Sequence, residues 1–177
     1  MALRKVIEKS DPILRRRSRE IAEITDRIRT LAEDMWETMY AADGVGLAAP
    51  QVGVLRRLAV IDVTEPVEEE PEEETEEVFE KPEPEVIKYL LINPEILEAS
   101  EETAKTKEGC LSVPGMIGVV ERPARVKVRA MDLDGKYYEI EGEGMLAKAL
   151  LHEIDHLDGV LFTDIAESVE EVENQSE

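Results

Sequence analysis

The two histidines of the chain, His152 and His156, lie four residues apart in the segment HEIDH. At this spacing both side chains project from one face of a helix, so their ring nitrogens can bind a single metal ion. Glu153 lies about 100° round such a helix from His152. There its carboxylate can act on a metal-activated water without being a ligand itself. The pattern predicts a hydrolytic metal site, and two unrelated helical histidines are the alternative.

A catalytic metal site of this type needs a third protein ligand and an open coordination position. The 21 residues after His156 contain no histidine, and their acidic side chains lie in a polar segment. Upstream, the single cysteine, Cys110, lies in KEGCLSVPG. A lone cysteine is most often a small buried apolar residue, but a thiolate is also a good ligand for divalent transition metals. Together with HEIDH, the sequence favours Cys110 as the third ligand.

A third segment, GVGLAAPQVG, runs from Gly44 to Gly53. Its glycines allow unusual backbone angles and the close approach of another chain. Gln51 brings an amide that can donate a hydrogen bond to a developing oxyanion. Taken alone, the segment equally fits a turn that packs a helix against a strand.

Two helices are predicted, one before GVGLAAPQVG in the sequence and one that contains HEIDH. Apolar residues recur at helical spacing from Thr25, a plausible N-cap, to Tyr40, and Asp43-Gly44 then ends the pattern. A second helical stripe begins at Glu143, carries HEIDH, and ends at Gly159. Trp36 borders the first stripe, which predicts a position in the core or at its rim.

Strands are predicted between the two helices. Apolar runs at residues 58–63 and 86–93 have strand character, and Pro94 marks a break after the second run. Residues 125–132 alternate between basic and apolar side chains, and Asp134-Gly135 predicts a hairpin turn to a partner strand at 136–141. The expected fold class is α+β, with antiparallel strands packed around a central C-terminal metal-binding helix and an N-terminal amphipathic helix.

The charge is concentrated in two segments. The 177 residues carry a net charge of -21. Residues 65–86 hold twelve Glu and one Lys, and residues 164–177 hold six acidic residues and no basic one. We expect a single catalytic domain at 1–163, interrupted by an acidic, extended insertion at 65–86 and followed by an acidic tail at 164–177.

The same composition narrows the classes of function. An acidic chain disfavours direct DNA binding and contact with anionic membranes, because both need clustered cations. No apolar run is long enough to span a bilayer, and the first ten residues lack the apolar core of a signal peptide. One cysteine excludes an internal disulfide, so the expected compartment is the cytoplasm.

The three segments together resemble the motifs of the peptide deformylase family. That family has motifs of the form GxGxAAxQ, EGCLS and HExDH, and this chain carries GVGLAAPQ, EGCLS and HEIDH in the same order. The resemblance extends over about residues 6–162, and EGCLSVPG is more similar to the bacterial type 1 form than to the other major bacterial type. It implies removal of the N-formyl group from the formylmethionine of nascent polypeptides, with release of formate.

The resemblance also assigns roles to individual residues. It implies that Cys110, His152 and His156 hold the metal and that Glu153 is the general base and then the general acid. The Gln51 amide and the Leu111 backbone N–H would stabilise the oxyanion. The positions that would line the methionine pocket or pair with the peptide backbone are Val45, Gly46 and Gly109.

Ligand chemistry alone suggests zinc, whereas the resemblance implies Fe(II) in the cell, with Zn, Ni or Co able to occupy the site. The long acidic insertion and the acidic end of the chain depart from the family pattern. They leave the motifs intact and bear instead on a transient contact with the ribosome. We expect that contact to be weak or to use the basic cluster Arg15–Arg17, for which a solvated basic turn is the alternative.

Two other functions remain open at this point. One is an HExxH-type zinc metallopeptidase with a downstream acid such as Glu167 as its third ligand. The other is a non-catalytic binding module that keeps the metal as a structural clip and recruits a basic partner through its acidic segments. A structural clip needs neither Glu153 nor Gln51, so the presence of both disfavours that interpretation.

Overall fold

Two antiparallel sheets and three helices make up the fold in this computed structural model, which describes residues 2–65 and 83–172. The helices are α1 (Asp26–Ala41), α2 (Gly144–Leu157) and the short α3 (Phe162–Ile165). Single 3-10 turns lie at Pro12–Arg15 and Ala49–Val52. Most of the acidic segment predicted at 65–86 and the last five residues of the predicted tail lie outside the described part.

The first sheet has five strands in the order β1-β2-β3-β6-β7. These strands are β1 (Gly46–Ala48), β2 (Leu58–Asp62), β3 (Lys88–Ala99), β6 (Arg125–Met131) and β7 (Tyr137–Glu143). The second sheet has the order β4-β5-β8, with β4 (Thr103–Cys110), β5 (Val113–Pro123) and β8 (Ser168–Glu171). The α+β class predicted from the sequence is therefore confirmed.

Helix α1 closely follows the predicted amphipathic pattern. The Thr25 side chain caps it by accepting a hydrogen bond from the Ile28 N–H at 3.4 Å, which satisfies one otherwise unpaired donor of the first turn. The predicted stripe from Ile28 to Met39 is buried against β1 and β2. Tyr40 differs from the prediction because it lies at the surface, where its hydroxyl donates to Asp62 Oδ2 at 2.6 Å.

The predicted hairpin is formed by β6 and β7. Val126, Val128 and Ala130 are buried, and the basic residues between them lie towards solvent, because successive side chains of a strand point to opposite faces. Gly135 takes a φ of +77° in the turn, a conformation that costs glycine nothing sterically.

Pro94 does not end its strand, contrary to the predicted break. Strand β3 runs on to Ala99, and its pairing with β6 shifts register between Ile92 and Glu95. At the register shift, Asn93 adopts a left-handed backbone conformation with a φ of +49°. Its side-chain amide accepts a hydrogen bond from the Ile21 N–H and donates one to the Ile21 carbonyl. A β-bulge of this kind accommodates a proline, which has no N–H to donate to the ladder.

The described residues 164–172, which carry four of the acidic side chains of the predicted tail, continue into the fold. The predicted domain boundary falls inside α3, and β8 then pairs antiparallel with β5, with Ser168 opposite Val119. Phe162 anchors this end of the chain because its side chain is fully buried beside Val120.

Helix α2 contacts strands of both sheets. Its apolar face packs into the largest core cluster, opposite the buried side chains of β2, β6 and β7. Burial on so many sides explains why the helix is apolar around most of its circumference. Across the described ranges 2–65 and 83–172, no helix combines the length and the apolar character needed to cross a membrane.

Gly159 follows the end of helix α2, at a point where no side chain fits. Its φ is +79°, and a Cβ there would lie 2.5 Å from the Arg15 carbonyl oxygen. Gly135 is a matched control, because its φ is +77° and a Cβ would meet nothing nearer than Ile24 Cδ1 at 4.0 Å.

We expect Gly159→Ala and Gly135→Ala each to lower the free energy of unfolding by about 1–2 kcal/mol, because alanine is strained in the left-handed backbone conformation. Only Gly159→Ala adds a backbone clash, so its free energy of unfolding in urea should fall by at least about 1 kcal/mol more. Equal losses in the two variants would show that the Arg15 carbonyl moves away at no cost.

Candidate metal centre and active site

Cys110, His152 and His156 converge at the junction of the two sheets. Cys110 is the last residue of β4, and the two histidines lie one turn apart on α2. The Nε2 atom of His156 lies 3.2 Å from Cys110 Sγ and 3.2 Å from His152 Nε2. Within the described ranges, these three residues form the one group of His, Cys, Asp or Glu side chains arranged to hold a metal, with all ligand atoms inside 4.8 Å of one another.

The spacing and the charge of this group fit a small divalent cation. Bonds of about 2.1 Å to nitrogen and about 2.3 Å to sulfur in a tetrahedral site separate the ligand atoms by about 3.3–3.7 Å. Burial and the neighbouring His152 lower the pKa of His156 well below its usual value, so its ring is neutral as a ligand must be. Burial would also lower the pKa of His152, yet the hydrogen bonds with Cys110 and Glu108 and the charge of Glu153 raise it to about 10. The surroundings of His152 therefore favour positive charge.

A buried ion-pair network fixes the orientation of His152. The His152 Nδ1–H donates to Glu108 Oε1 at 2.8 Å, which leaves Nε2 directed to the metal position. Arg122 donates to both oxygens of the same carboxylate at 2.6 and 2.9 Å, and to Asp155 Oδ2 at 2.9 Å. Burial would raise the pKa of Glu108, but the hydrogen bonds from Arg122 and His152 outweigh it and lower the pKa to about 2. Glu108 is therefore ionised whenever the protein is folded at neutral pH.

Sequence reasoning missed the roles of Glu108 and Arg122. Glu108 is the first residue of EGCLS, but nothing in the sequence shows what it contacts. Arg122 lies 14 residues further on in β5 and reaches Glu108 only because β4 and β5 pair. An acidic residue two positions before a metal-binding cysteine is the one local signal that could have suggested a partner for a histidine.

Glu153 is buried beside the ligands, and one of its two carboxylate oxygens lacks a partner among the described residues. Its Oε2 atom has no hydrogen-bond partner in the described part of the chain, and burial raises its pKa to about 7. Gly46 provides the space for this carboxylate, since a Cβ at position 46 would lie 2.6 Å from Glu153 Oε1. A buried carboxylate with a pKa near neutral is suited to exchanging a proton with a bound molecule.

The Gln51 amide is held at both of its ends. Its Oε1 accepts a hydrogen bond from the Ala48 N–H at 2.9 Å, and its Nε2 donates to Ser112 Oγ at 3.0 Å. The same nitrogen lies 3.4 Å from Cys110 Sγ. Leu111 follows Cys110 directly in the turn between β4 and β5, so its backbone N–H is the next one along the chain after the cysteine.

A cavity of about 330 Å³ opens beside the metal ligands. All three residues predicted to contact substrate, Val45, Gly46 and Gly109, line it, together with Leu111 and Met145. Strand β1 is the outer strand of the first sheet and pairs with β2 on one side only. Gly46 of β1 lines this cavity, and no described strand pairs with the other edge of β1, which leaves backbone groups there for an extended peptide to pair with.

The downstream ligand that a metallopeptidase would need is not part of this group. The Glu167 carboxylate pairs with Lys105 Nζ at 3.2 Å on the second sheet. The third ligand-bearing side chain comes from upstream, as the position of Cys110 predicts.

Comparison with known proteins agrees with this arrangement. The sequence model of the family described as Polypeptide deformylase matches residues 3–172. The chain belongs to the polypeptide deformylase family. A peptide deformylase of Alkaliphilus metalliredigens is 51% identical over 164 residues, which cover 93% of this chain and 97% of that protein.

Solved deformylase structures share the fold. The crystal structure of peptide deformylase from Thermotoga maritima has a TM-score of 0.80 and 37% identity, covering 95% of this chain and 100% of that one. A peptide deformylase from Synechococcus elongatus, solved in complex with actinonin, has a TM-score of 0.77 and 37% identity over 92% of this chain and 78% of that one. The deformylase resemblance seen in the three motifs is therefore confirmed at the level of the whole chain.

The network behind His152 predicts a selective loss of metal affinity in Glu108→Gln. The amide removes the charge that holds His152 and leaves Arg122 only partly compensated, so we expect a 10- to 100-fold weaker affinity. Competition with a chromophoric chelator measures it. Glu121→Gln, an exposed position on β5, is the control for loss of one negative charge. If Glu108→Gln binds metal as tightly as the control while remaining folded, Glu108 does not position the ligand.

Proposed function

We propose that this chain uses a divalent metal held by Cys110, His152 and His156 to remove the N-formyl group from formylmethionyl polypeptides, releasing formate. The observation that carries the proposal is the buried Glu153 carboxylate, whose Oε2 has no partner among the described residues, beside three convergent ligand atoms. Membership of the polypeptide deformylase family supplies the reaction class.

Glu153 is the residue that handles protons in this proposal. The metal, when bound, supplies Lewis acidity and lowers the pKa of water. Glu153 accepts a proton from the attacking water and then delivers it to the amide nitrogen of methionine as the formamide C–N bond breaks. Burial favours this exchange because the carboxylate, with a pKa raised to about 7, holds neither form strongly at neutral pH.

Gln51 and Leu111 stabilise the oxygen that becomes negatively charged during the attack. The Gln51 amide is already fixed by Ala48 and Ser112, so it need not reorganise as charge develops. A donor of this kind contributes about 3–4 kcal/mol of transition-state stabilisation. Donors that are fixed before the reaction favour the transition state over the planar formamide.

The cavity beside the ligands takes the methionine side chain. Val45, Gly46 and Gly109 line it, and the free edge of β1 offers backbone hydrogen bonds to the peptide. This pairing would place the formyl carbon next to the metal and extend the rest of the peptide out of the cavity. A substrate without a formyl group lacks the carbonyl that the site is arranged to polarise.

We further propose that Fe(II) is the metal in the cell and that Zn, Ni or Co occupies the site in purified samples. The His2Cys donor set accepts all four metals, so availability rather than donor chemistry selects among them. A cytoplasmic location is part of the same proposal, since nascent chains are made there and a reducing compartment keeps Cys110 from being oxidised.

The Glu153→Ala variant tests the assignment of the proton-transferring residue. We expect full metal content, because Glu153 is not a ligand, and at least a 10³-fold drop in formate release from formyl-Met-Ala-Ser under anaerobic conditions with Fe(II). Metal content is measured by atomic emission and formate by a coupled dehydrogenase assay. Normal turnover would refute the mechanism.

Cys110→Asp is the companion variant, since it keeps an anionic ligand but replaces sulfur with oxygen. We expect retained but weaker metal binding and a changed rate. Identical metal content and identical rate would remove Cys110 from the ligand set.

Contact with ribosomes is proposed to be weak and transient. The chain carries a net charge of -21, and of the basic cluster Arg15–Arg17, Arg15 already pairs with Asp164. We expect partial cosedimentation with 70S ribosomes at about 20 mM salt and its loss at about 150 mM. Arg16→Glu with Arg17→Glu should abolish the residual binding, and Arg129→Glu with Lys136→Glu is the control. Tight, salt-insensitive binding would refute weak docking.

A further inference from the structure

The segment that precedes the first 3-10 turn contacts both sides of the active site. We call residues 2–9 the strap. Two neighbouring side chains of the strap pack into different parts of the core. Val6 packs against the cluster formed by α1 and β2, whereas Ile7 packs against the cluster that includes Val113 of β5 and is also contacted by Cys110. The strap therefore joins the core beneath the first sheet to the core beneath the second.

Hydrogen bonds anchor the start of the strap on α1. The Ala2 N–H donates to Asp34 Oδ1 at 2.8 Å, and Arg4 Nε donates to Asp34 Oδ2 at 2.9 Å. The Arg4 N–H donates to Thr38 Oγ1, one helical turn further on, at 3.0 Å. Asp34 is only 4% exposed, so its charge depends on these partners to offset the loss of water. Detaching the strap would remove the partners of both carboxylate oxygens at once.

The end of the strap is bonded to the two residues that hold the Gln51 amide in the site. The Ile7 N–H donates to the Gln51 carbonyl at 2.7 Å, and the Lys9 N–H donates to the Ser112 carbonyl at 2.8 Å. Gln51 Nε2 in turn donates to Ser112 Oγ at 3.0 Å. These bonds close a ring from the strap through Gln51 and Ser112 and back to the strap. Gln51 follows β1 of the first sheet and Ser112 lies between two strands of the second, so the ring also spans the junction of the sheets.

We propose that the strap positions the Gln51 amide for the reaction and that Asp34 anchors the strap in that role. The inference rests on the proposed function, in which Gln51 stabilises the developing oxyanion. Such a donor works only at the correct distance from the oxygen, and a displacement of about 1 Å can lower the rate by up to about 10²-fold. The described lining of the active-site cavity includes none of the residues 2–9. The strap and Asp34 therefore act through Gln51 rather than on the substrate.

Lys9 allows one bond of the ring to be removed alone. The Asp11 N–H donates to the Glu8 carbonyl at 2.9 Å, which closes a turn with Lys9 and Ser10 at its centre. Lys9 and Ser10 both have negative φ, as in a type I turn, and that turn favours proline at its first central position. Lys9→Pro therefore keeps the turn but lacks the N–H that donates to the Ser112 carbonyl. Lys9→Ala keeps the N–H and is the matched control, since the side chain is exposed.

The expected effect is on turnover rather than on binding. With formyl-Met-Ala-Ser as substrate, we expect kcat of Lys9→Pro to fall by about 5- to 30-fold, with KM within about 2-fold of wild type and full metal content. Lys9→Ala should keep kcat within about 2-fold. Asp34→Asn, which weakens the other end of the strap, should lower kcat in the same way. Glu33→Gln, a change at the neighbouring exposed residue of α1, is its control.

A spectroscopic measurement follows the amide itself. The side-chain amide signals of Gln51 can be recorded by ¹⁵N NMR on Zn(II)-loaded protein and assigned by their loss in Gln51→Ala. We expect these signals to shift and their hydrogens to exchange faster in Lys9→Pro and Asp34→Asn, but not in the two controls. A loss of overall stability alone would not move these signals in protein that remains folded.

A double-mutant cycle decides whether the strap acts through Gln51. In a Gln51→Ala background the amide is gone, so adding Lys9→Pro should lower kcat by less than about 2-fold. The same loss of kcat in both backgrounds would show that the strap supports the fold in general, and it would overturn the inference.

The remaining outcomes are equally distinct. Wild-type kcat and unchanged Gln51 signals in folded Lys9→Pro and Asp34→Asn would overturn the inference and leave the proposed function intact. If Lys9→Pro does not fold, Asp34→Asn decides by the same criteria, including the cycle with Gln51→Ala. Wild-type protein that releases no formate from formyl-Met-Ala-Ser would instead refute the proposed function.

Discussion

The buried carboxylate of Glu108 is the interaction on which the geometry of the site depends. It joins β4 to α2 through His152 and to β5 through Arg122, which continues to Asp155 on α2. The other side of α2 packs against the first sheet. Breaking a buried ion pair by removing one partner costs about 3–5 kcal/mol. One set of hydrogen bonds therefore joins the second sheet to α2 and orients His152, and the apolar packing of α2 joins this unit to the first sheet.

The two glutamates beside the ligands are given opposite properties by their surroundings. Burial acts to raise the pKa of both Glu108 and Glu153. Arg122 and His152 outweigh burial at Glu108 and lower its pKa to about 2, whereas nothing bonds to Glu153 Oε2 in the described part and its pKa rises to about 7. A permanently charged acid can hold a ligand in place, and an acid near neutral pKa can transfer a proton.

Much of the fold and of the candidate site could be predicted from local patterns in the sequence. The histidine spacing placed both imidazoles correctly, because a helix brings residues i and i+4 to one face. Contacts between segments could not be read in this way. Thr103–Cys110 is polar and shows no clean alternation, so β4 became apparent only when paired with β5. Pro94 predicted a break, and the bulge at Asn93 that tolerates it depends on Ile21, far away in the sequence.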